Sequence, residues 1–463
     1  MIKITLNPKL TKTAFLFAAL MAFGADTAAE CTSPLPYGYG VNDSAHQYAN
    51  SGKRSLDPNG VLVFDYGAAY DNFGKWHNPF FIARYAHALY RDWHKTNCTQ
   101  DDLKEKFLIQ ARFLMDTHEL RGPFAVWPYP FDNSYYGVPR GWISGIGQSQ
   151  ISGVLLRAHA LTNERSMRDI GMKAAEPYLR PMAEGGVVTQ SENGLWIQEV
   201  PSPSGKEFNI LNGHITGLLG LLDVAQLTDD ERLHRVVGAS IRSVREHLNE
   251  FDAGFTSFYS LNVKDGDPPK LAPRKGYNNL HVWQLKKLHE ITKDPAFLRA
   301  AKIFENYENQ SDLRTSAGST NDITHGPNEA DARYGTRFWS HNVFPTWYQV
   351  TLENPAILDG IFISGYIPKA TPKDFSVDVL IGSKWLPVFE RQDNNDKELF
   401  LKFSQPTKIE AFRININGDN GNRNVALNAV MPIRSQSASV SNSGDIVSAS
   451  PAPFFPGFRA TID

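Results

Sequence analysis

Residues Ile197–Leu222 read IQEVPSPSGKEFNILNGHITGLLGLL and place one acidic side chain, Glu199, before a loop rich in Pro, Ser and Gly. From Ile210 to Leu222 the chain carries no charged residue, and its Leu and Ile residues favour a buried helix. An acidic residue that precedes a loop leading into a buried helix is a candidate functional group. The stretch therefore predicts a helical domain whose chemistry lies in the loops before the helices.

The chain from Asn78 to about Tyr307 repeats this helical pattern. Apolar residues recur at spacings of three and four in five further stretches: Pro79–Lys95, Asp101–Leu120, Trp142–Thr162, Asp230–Phe251 and Tyr277–Thr292. Loops of unequal length join them, and no short repeat is visible, which argues against a regular solenoid. The pattern favours helical hairpins arranged around a centre, as in an all-α toroid or α/α barrel.

The pattern changes near Ser311. In FSVDVLI (Phe375–Ile381) and FRININ (Phe412–Asn417) every second residue is apolar, which predicts strands with one buried face. Short strands of this kind, separated by turn residues, predict an all-β sandwich. After Arg434 the chain becomes rich in serine and cannot supply a core.

The N-terminus resembles a secretory signal. Lys3, Lys9 and Lys12 precede an apolar run from Ala14 to Ala25, and small residues follow. The run is too short for a membrane span, so we expect a cleaved signal peptide and a secreted or periplasmic protein. In an oxidising compartment Cys31 and Cys98, which are the only cysteines, are expected to pair.

The predicted organisation is multidomain: a signal peptide (1–29), a helical catalytic domain (30–310), a β-sandwich (311–434) and a tail (435–463). The formal net charge of −2 argues against nucleic acid as a partner. The sequence has no P-loop, G-x-S-x-G, H-E-x-x-H or C-x-x-C motif. We therefore predict no cofactor, and the scattered histidines leave a metal site open but give it no support.

Polar residues gather before the predicted helices. Glu199 precedes one helix, Tyr259 follows a Gly-containing turn, and Arg274 and Tyr277 lie just before the helix that carries His281. In a toroid such loops line the mouth of a cleft. Each residue also has an ordinary interpretation: a tyrosine at a helix start usually packs against its neighbours, and an acid or arginine in a polar loop is usually solvated.

Three segments together resemble the D-glucuronyl C5-epimerase family, whose members act on heparan-type polysaccharides. They are WISGIGQSQISGVLLRAH (Trp142–His159), QEVPSPS followed by ILNG (Gln198–Gly213), and FYSL followed by PRKGYNNLHVWQL, within a likeness that spans about Tyr37 to Thr292. The resemblance implies an α/α-barrel catalytic domain. The implied catalytic residues are Tyr259, Tyr277 and Glu199, and the residues expected to bind substrate are Arg274, Gln148, Asn212, His281 and Arg157.

The chain departs from that family's pattern at two places. Val200 stands where the family usually has a tyrosine after the loop glutamate, and Lys275–Gly276 stand where it usually has Trp-Asp. A second resemblance, in the stretch from His325 to Ile363, is to a discoidin-type (F5/8 type C) jelly roll, a fold widely used to bind carbohydrate. Its visible aromatic residues, Trp339, Trp347 and Tyr348, could stack on sugars or belong to the core.

The C5-epimerase resemblance implies removal of the proton next to a uronate carboxylate and its return to the opposite face of the sugar. Two tyrosines could serve as the proton-transfer pair, a nearby cation such as Arg274 would stabilise a phenolate, and a guanidinium could also hold the carboxylate. A polysaccharide lyase shares the first step and is the main alternative. A glycosidase would need a second carboxylate, for which Asp252 is the obvious residue. The expected partner is a uronate-containing polysaccharide, and a non-catalytic polysaccharide-binding protein and a homodimer remain open.

Overall fold

The computed structural model describes residue 31 and residues 43–191, 194–261, 269–309, 312–333 and 336–435. The chain divides into two compact units, one formed by Met1–Gly186 and Leu219–His234, the other by Val187–Leu218 and Arg235–Asp463. The predicted signal peptide and nearly all of the predicted tail lie outside the described residues. In the described part of the chain no helix is both long enough and apolar enough to cross a membrane.

Helices dominate the chain up to residue 309, and strands dominate from residue 313 to the end of the described chain. The helices are α1 (Ala45–Ala49), α2 (Ala69–Asn72), α3 (Pro79–Lys95), α4 (Asp101–Asp116), α5 (Gly147–Thr162), α6 (Arg165–Ala175), α7 (Leu211–Thr228), α8 (Glu231–His247), α9 (Tyr277–Thr292) and α10 (Pro295–Asn309). The short strands among them are β1 (Arg54–Leu56), β2 (Leu62–Asp65), β3 (Lys75–Trp76), β4 (Glu119–Arg121), β5 (Phe124–Val126), β6 (Val188–Gln190), β7 (Leu195–Ile197), β8 (Phe258–Ser260) and β9 (Lys270–Leu271). The strands that follow are β10 (Leu313–Ala317), β11 (Phe338–Trp339), β12 (Thr346–Gly365), β13 (Phe375–Ile381), β14 (Lys384–Arg391), β15 (Glu398–Ile416) and β16 (Ala426–Arg434).

The first unit is built on packed helix pairs, α3 with α4 and α5 with α6. Asn78 starts α3, because its Oδ1 accepts from the main-chain N–H groups of Phe80 and Phe81 and Pro79 fits the first turn. Cys31 and Cys98 form a disulfide, with Cα atoms 5.8 Å apart. The predicted helical hairpins are therefore present in this unit.

Helix α5 begins later than the sequence pattern predicts. The stretch from Trp142 reads as helical, but the helix starts at Gly147. The Trp142 carbonyl accepts from Tyr129 N at 2.8 Å, and the Trp142 ring stacks on the Tyr129 ring with centroids 3.9 Å apart. A tertiary contact thus holds residues 142–146 outside the helix.

Seven strands of the second unit form one antiparallel sheet in the order β11-β16-β12-β15-β13-β14, with β10 also paired to β12. The long strands β12 and β15 pair along their length, with register shifts between Thr351 and Ala356 and between Leu358 and Gly360. Residues 348–352 of β12 pair with β10, and residues 358–365 pair with β16. Since a strand bends at a β-bulge, this change of partner is typical of a strand that contributes to both layers of a sandwich.

The predicted alternation in the sandwich is confirmed. Phe375, Val377 and Val379 of β13 are each at most 1% exposed, and Phe412 and Ile414 of β15 are fully buried. The polar residues between them lie on the outer face. The protein is thus multidomain, with a helical region followed by a β-sandwich.

Candidate functional site

A glutamine–asparagine contact closes the loop that leads into α7. Gln198 follows β7, and its Nε2 donates to Asn209 Oδ1 at 2.6 Å and to Thr189 Oγ1 at 3.0 Å. Asn209 N donates back to Gln198 Oε1 at 3.3 Å. The two ends of the loop are therefore joined directly beside Glu199.

Glu199 packs against the first turn of α7. A Cβ at Gly213 would lie 2.2 Å from Glu199 Oε2, so a glycine is required for this approach. Glu199 Oε2 is buried and has no hydrogen-bond partner among the described residues. Burial raises the pKa of Glu199 to about 7. Near neutral pH both protonation states are populated, as a group that takes and returns a proton requires.

Three further buried acceptors lie at the start of α7 and in the first half of α9. Asn212 Oδ1, His281 Nε2 and Gln284 Oε1 have no hydrogen-bond partner in the described part of the chain. Gln284 Nε2 donates to Asn212 O at 2.9 Å and to Thr216 Oγ1 at 3.1 Å, which joins α9 to the start of α7 and leaves Oε1 as the acceptor. Unsatisfied buried acceptors are costly, and donors from ordered water or from a ligand would satisfy these atoms.

The hydrogen bonds around His281 determine its tautomer. Asn278 Nδ2 donates to Phe304 O at 2.9 Å and to Glu308 Oε1 at 3.2 Å, so Asn278 Oδ1 is an acceptor. Ser257 Oγ donates to that oxygen at 2.9 Å and has no second proton for His281 Nδ1, 2.7 Å away. Nδ1 therefore carries the ring proton, and Nε2 is the acceptor. Burial lowers the pKa of His281 to about 3, so the ring is neutral.

The two tyrosines predicted to be catalytic lie side by side. Tyr259 lies in β8 and Tyr277 begins α9, and their ring centroids are 4.8 Å apart with an interplanar angle of 67°. Ser260 forms a β-bridge with Ile210, the residue directly before α7. This β-bridge connects the strand that carries Tyr259 to the start of α7, against which Glu199 packs.

Arg274 is a buried cation in the segment before Tyr277. Its Nη1 donates to Asp331 O at 2.8 Å, and its main-chain N donates to Ala332 O at 3.2 Å. Burial lowers the pKa of Arg274 from its usual value. Its role in binding a uronate stays a prediction.

The remaining two predicted binding residues belong to the first unit and are bonded within it. Gln148 Nε2 donates to Ala125 O at 2.8 Å and to Ala174 O at 3.2 Å. Arg157 forms a bidentate ion pair with Asp223, with both N–O distances 2.7 Å, and is fully buried. Both residues hold helices in place, and their roles in substrate binding stay predictions.

Several site residues were not predicted from the sequence as functional. Ser257 and Asn278 orient His281, and Gly213 leaves space for the Glu199 side chain. Gln284, which supplies an acceptor, stands out in the sequence together with His281, because the two share a helix face. Ser257 and Asn278 are 21 residues apart, and their contact has no signal in the sequence.

The described residues contain one group of side chains close enough to share a metal ion, formed by Cys31, His94 and Cys98. Its two sulfur atoms are joined in the disulfide. This group is therefore better explained as a disulfide beside a histidine.

Residues 121–306 match the family model for the C-terminus of D-glucuronyl C5-epimerases. A D-glucuronyl C5-epimerase of Caenorhabditis elegans is 28% identical over 218 residues, which are 43% of this chain and 34% of the nematode protein. The chain thus spans about a third of that relative. An uncharacterised protein of Methanocaldococcus jannaschii, MJ1128, is 22% identical over 305 residues, which are 62% of this chain and 95% of the archaeal one. The epimerase resemblance read from the sequence is confirmed for this part of the chain.

Two solved structures are similar to parts of this protein. A chitosan-binding module of a Paenibacillus chitosanase/glucanase is 16% identical, with a TM-score of 0.24, and covers 26% of this chain and 94% of that module. The family 32 carbohydrate-binding module of Clostridium perfringens NanJ, solved with galactose, is 16% identical, with a TM-score of 0.25, and covers 27% of this chain and 94% of that module.

Proposed function

We propose that this protein is a uronate C5-epimerase that acts on a glucuronate-containing polysaccharide. The observation that carries the proposal is the set of four buried, unsatisfied polar atoms on Glu199, Asn212, His281 and Gln284, near the start of α7 and on α9. Sugar hydroxyls are donors, and a surface of acceptors suits them. The match of residues 121–306 to the C5-epimerase family model supports the same assignment.

The tyrosine contact shapes the proposed mechanism. With ring centroids 4.8 Å apart, Tyr259 and Tyr277 leave no room for a sugar ring between them. We therefore place both phenols on one face of the uronate and Glu199 on the other. This arrangement supplies a proton-transfer group to each face, which inversion at C5 requires.

In the proposed reaction a phenolate of the tyrosine pair removes the C5 proton. The C–H electron pair moves into the neighbouring carboxylate and gives an enediolate-type intermediate. Protonated Glu199 then donates its proton to C5 from the opposite face and becomes a carboxylate. The sugar keeps its composition, and proton exchange with solvent returns the groups to their starting states. The pKa of about 7 allows Glu199 to act in both directions.

The proposal includes features that the sequence predicts on its own. They are the closure of the helix pairs into an α/α barrel, export after removal of the signal peptide, and binding of the polysaccharide by the sandwich. The disulfide between Cys31 and Cys98 supports export, since such bonds persist in oxidising compartments.

Incubation in D2O with glucuronate polymers tests the reaction. An epimerase incorporates deuterium at C5, changes the configuration there and leaves the chain length unaltered. Unsaturated uronate ends on shortening chains would assign a lyase instead. Glu199→Gln should abolish inversion at C5, and the exposed Glu246→Gln on α8 is the charge-matched control. Binding to the same polymers without exchange or cleavage would assign a non-catalytic binding protein.

A further inference from the structure

Strands β8 and β9 pair as a hairpin that carries Tyr259. This hairpin and the residues just before it pack directly on the sandwich. The Phe255 ring stacks on Phe362 of β12, with centroids 5.1 Å apart, and Phe258 lies 6.3 Å from Phe400 of β15. Phe362 and Phe400 are themselves 4.7 Å apart. The four rings form one continuous cluster, in which Phe255 and Phe362 are at most 1% exposed.

Adjacency in the chain links this cluster to the proposed active site. Phe258 of β8 belongs to the apolar cluster with the sandwich strands. Tyr259 is the next residue, at a register shift between Phe258 and Ser260, and its ring contacts that of Tyr277. A displacement of β8 from the sandwich would therefore move Tyr259 as well.

Main-chain contacts hold the same region. Gly254 lies at φ 80°, and a Cβ there would come within 2.8 Å of Arg434 N in β16. Arg434 N donates to Gly254 O at 3.3 Å. Within the hairpin region Phe258 N donates to Phe251 O at 2.8 Å, and Ala272 N donates to Ser257 O at 2.9 Å.

Tyr277 is connected to the sandwich through the segment that precedes it in the chain. Arg274, three residues before Tyr277, donates from its main chain to Ala332 O and from Nη1 to Asp331 O. Asp331 in turn forms a β-bridge with Ala429 of β16. Both tyrosine-bearing segments are thus anchored on the strands of the sandwich.

We infer that the β-sandwich is a positioning element for the Tyr259–Tyr277 pair and not only a tethered module. Phe362 on β12 and Gly254 in the segment before β8 are the positioning residues, because both lie where that segment contacts the sandwich. The effect on catalysis rests on the proposed function, whereas the effect on the hairpin does not.

A matched pair of glycine variants tests the anchoring. Gly254→Ala introduces a methyl group against β16, while Gly421→Ala places the same residue at φ 94° with no atom within 4 Å. Hydrogen exchange of the Phe258 and Ala272 amides should accelerate about tenfold or more in Gly254→Ala, because local opening becomes easier. Gly421→Ala should leave both amides unchanged. Equal exchange in the two variants would overturn the inference.

Kinetics provide the second readout, with variants of two phenylalanines that are each 1% exposed. In Phe362→Ala we expect kcat to fall about ten- to a hundredfold with KM unchanged, because the tyrosines lose their alignment. Phe375 belongs to the main apolar core of the sandwich and not to the cluster at the hairpin. Phe375→Ala should therefore retain kcat. If the parent protein turns over no polymer, the proposed function fails while amide exchange still decides the inference. Equal losses of kcat in both variants would refute a positioning role.

Discussion

Replacement of Glu199 by glutamine should change how stability depends on pH. The parent carboxyl has its pKa raised from 4.5 to about 7 by burial. A raised pKa in the folded state stabilises the protein fully below the unfolded pKa, and this stabilisation is lost as the pH rises through about 7. Glutamine has the shape of the protonated acid and no charge, so the variant lacks this dependence.

The magnitude follows from the size of the shift. The difference between 4.5 and about 7, at about 1.4 kcal/mol per pKa unit, corresponds to about 3–4 kcal/mol when the titration is complete. The free energy of unfolding of the parent, minus that of Glu199→Gln, should therefore fall by up to about 3 kcal/mol between about pH 4 and pH 8. Other titrating groups contribute equally to both proteins and cancel in the difference.

Urea denaturation at a series of pH values measures this difference. Glu246→Gln removes the same formal charge from an exposed position on α8 and serves as the control. Parallel pH profiles for the parent and Glu199→Gln would refute the reasoning, because they would mean that Glu199 ionises alike in the folded and unfolded chains. A dependence of opposite sign would indicate that helix α7 stabilises the carboxylate more than burial disfavours it.

Three further outcomes are expected. Tyr259→Phe should lower C5 deuterium incorporation about a hundredfold or more, because the hydroxyl proposed to transfer the proton is lost; retained incorporation would exclude its phenol from proton transfer. Asp223→Asn should destabilise the first unit by about 3–5 kcal/mol in urea titrations, since Arg157 would remain buried without a counter-charge; a loss below about 1 kcal/mol would contradict a tightly buried pair. Reduction of the bond between Cys31 and Cys98, which are 67 positions apart, should lower the free energy of unfolding by about 4 kcal/mol in the loop-entropy model, and the double serine variant should match the reduced protein.

Much of the fold could be predicted from local patterns. Apolar spacing located α3 and α9 almost to the residue, because a helix that packs on one face repeats its apolar residues every three or four positions. Strict alternation located β13 for the corresponding reason in a sheet. The early start expected for α5 was wrong, since the Trp142 carbonyl bonds to Tyr129 N, a contact that no local pattern encodes.

The sequence alone determined the residue types of the proposed site and their order along the chain. It placed Glu199 before a buried helix, and it spaced Tyr259 and Tyr277 as in the C5-epimerase family pattern. Only the tertiary structure decided the protonation states of these residues and the residues that they contact. The raised pKa of Glu199 depends on burial against Gly213, and the acceptor at His281 Nε2 depends on Ser257 and Asn278. Helix and strand patterns arise from contacts within a few residues, whereas protonation and orientation depend on groups that meet only when distant segments pack together.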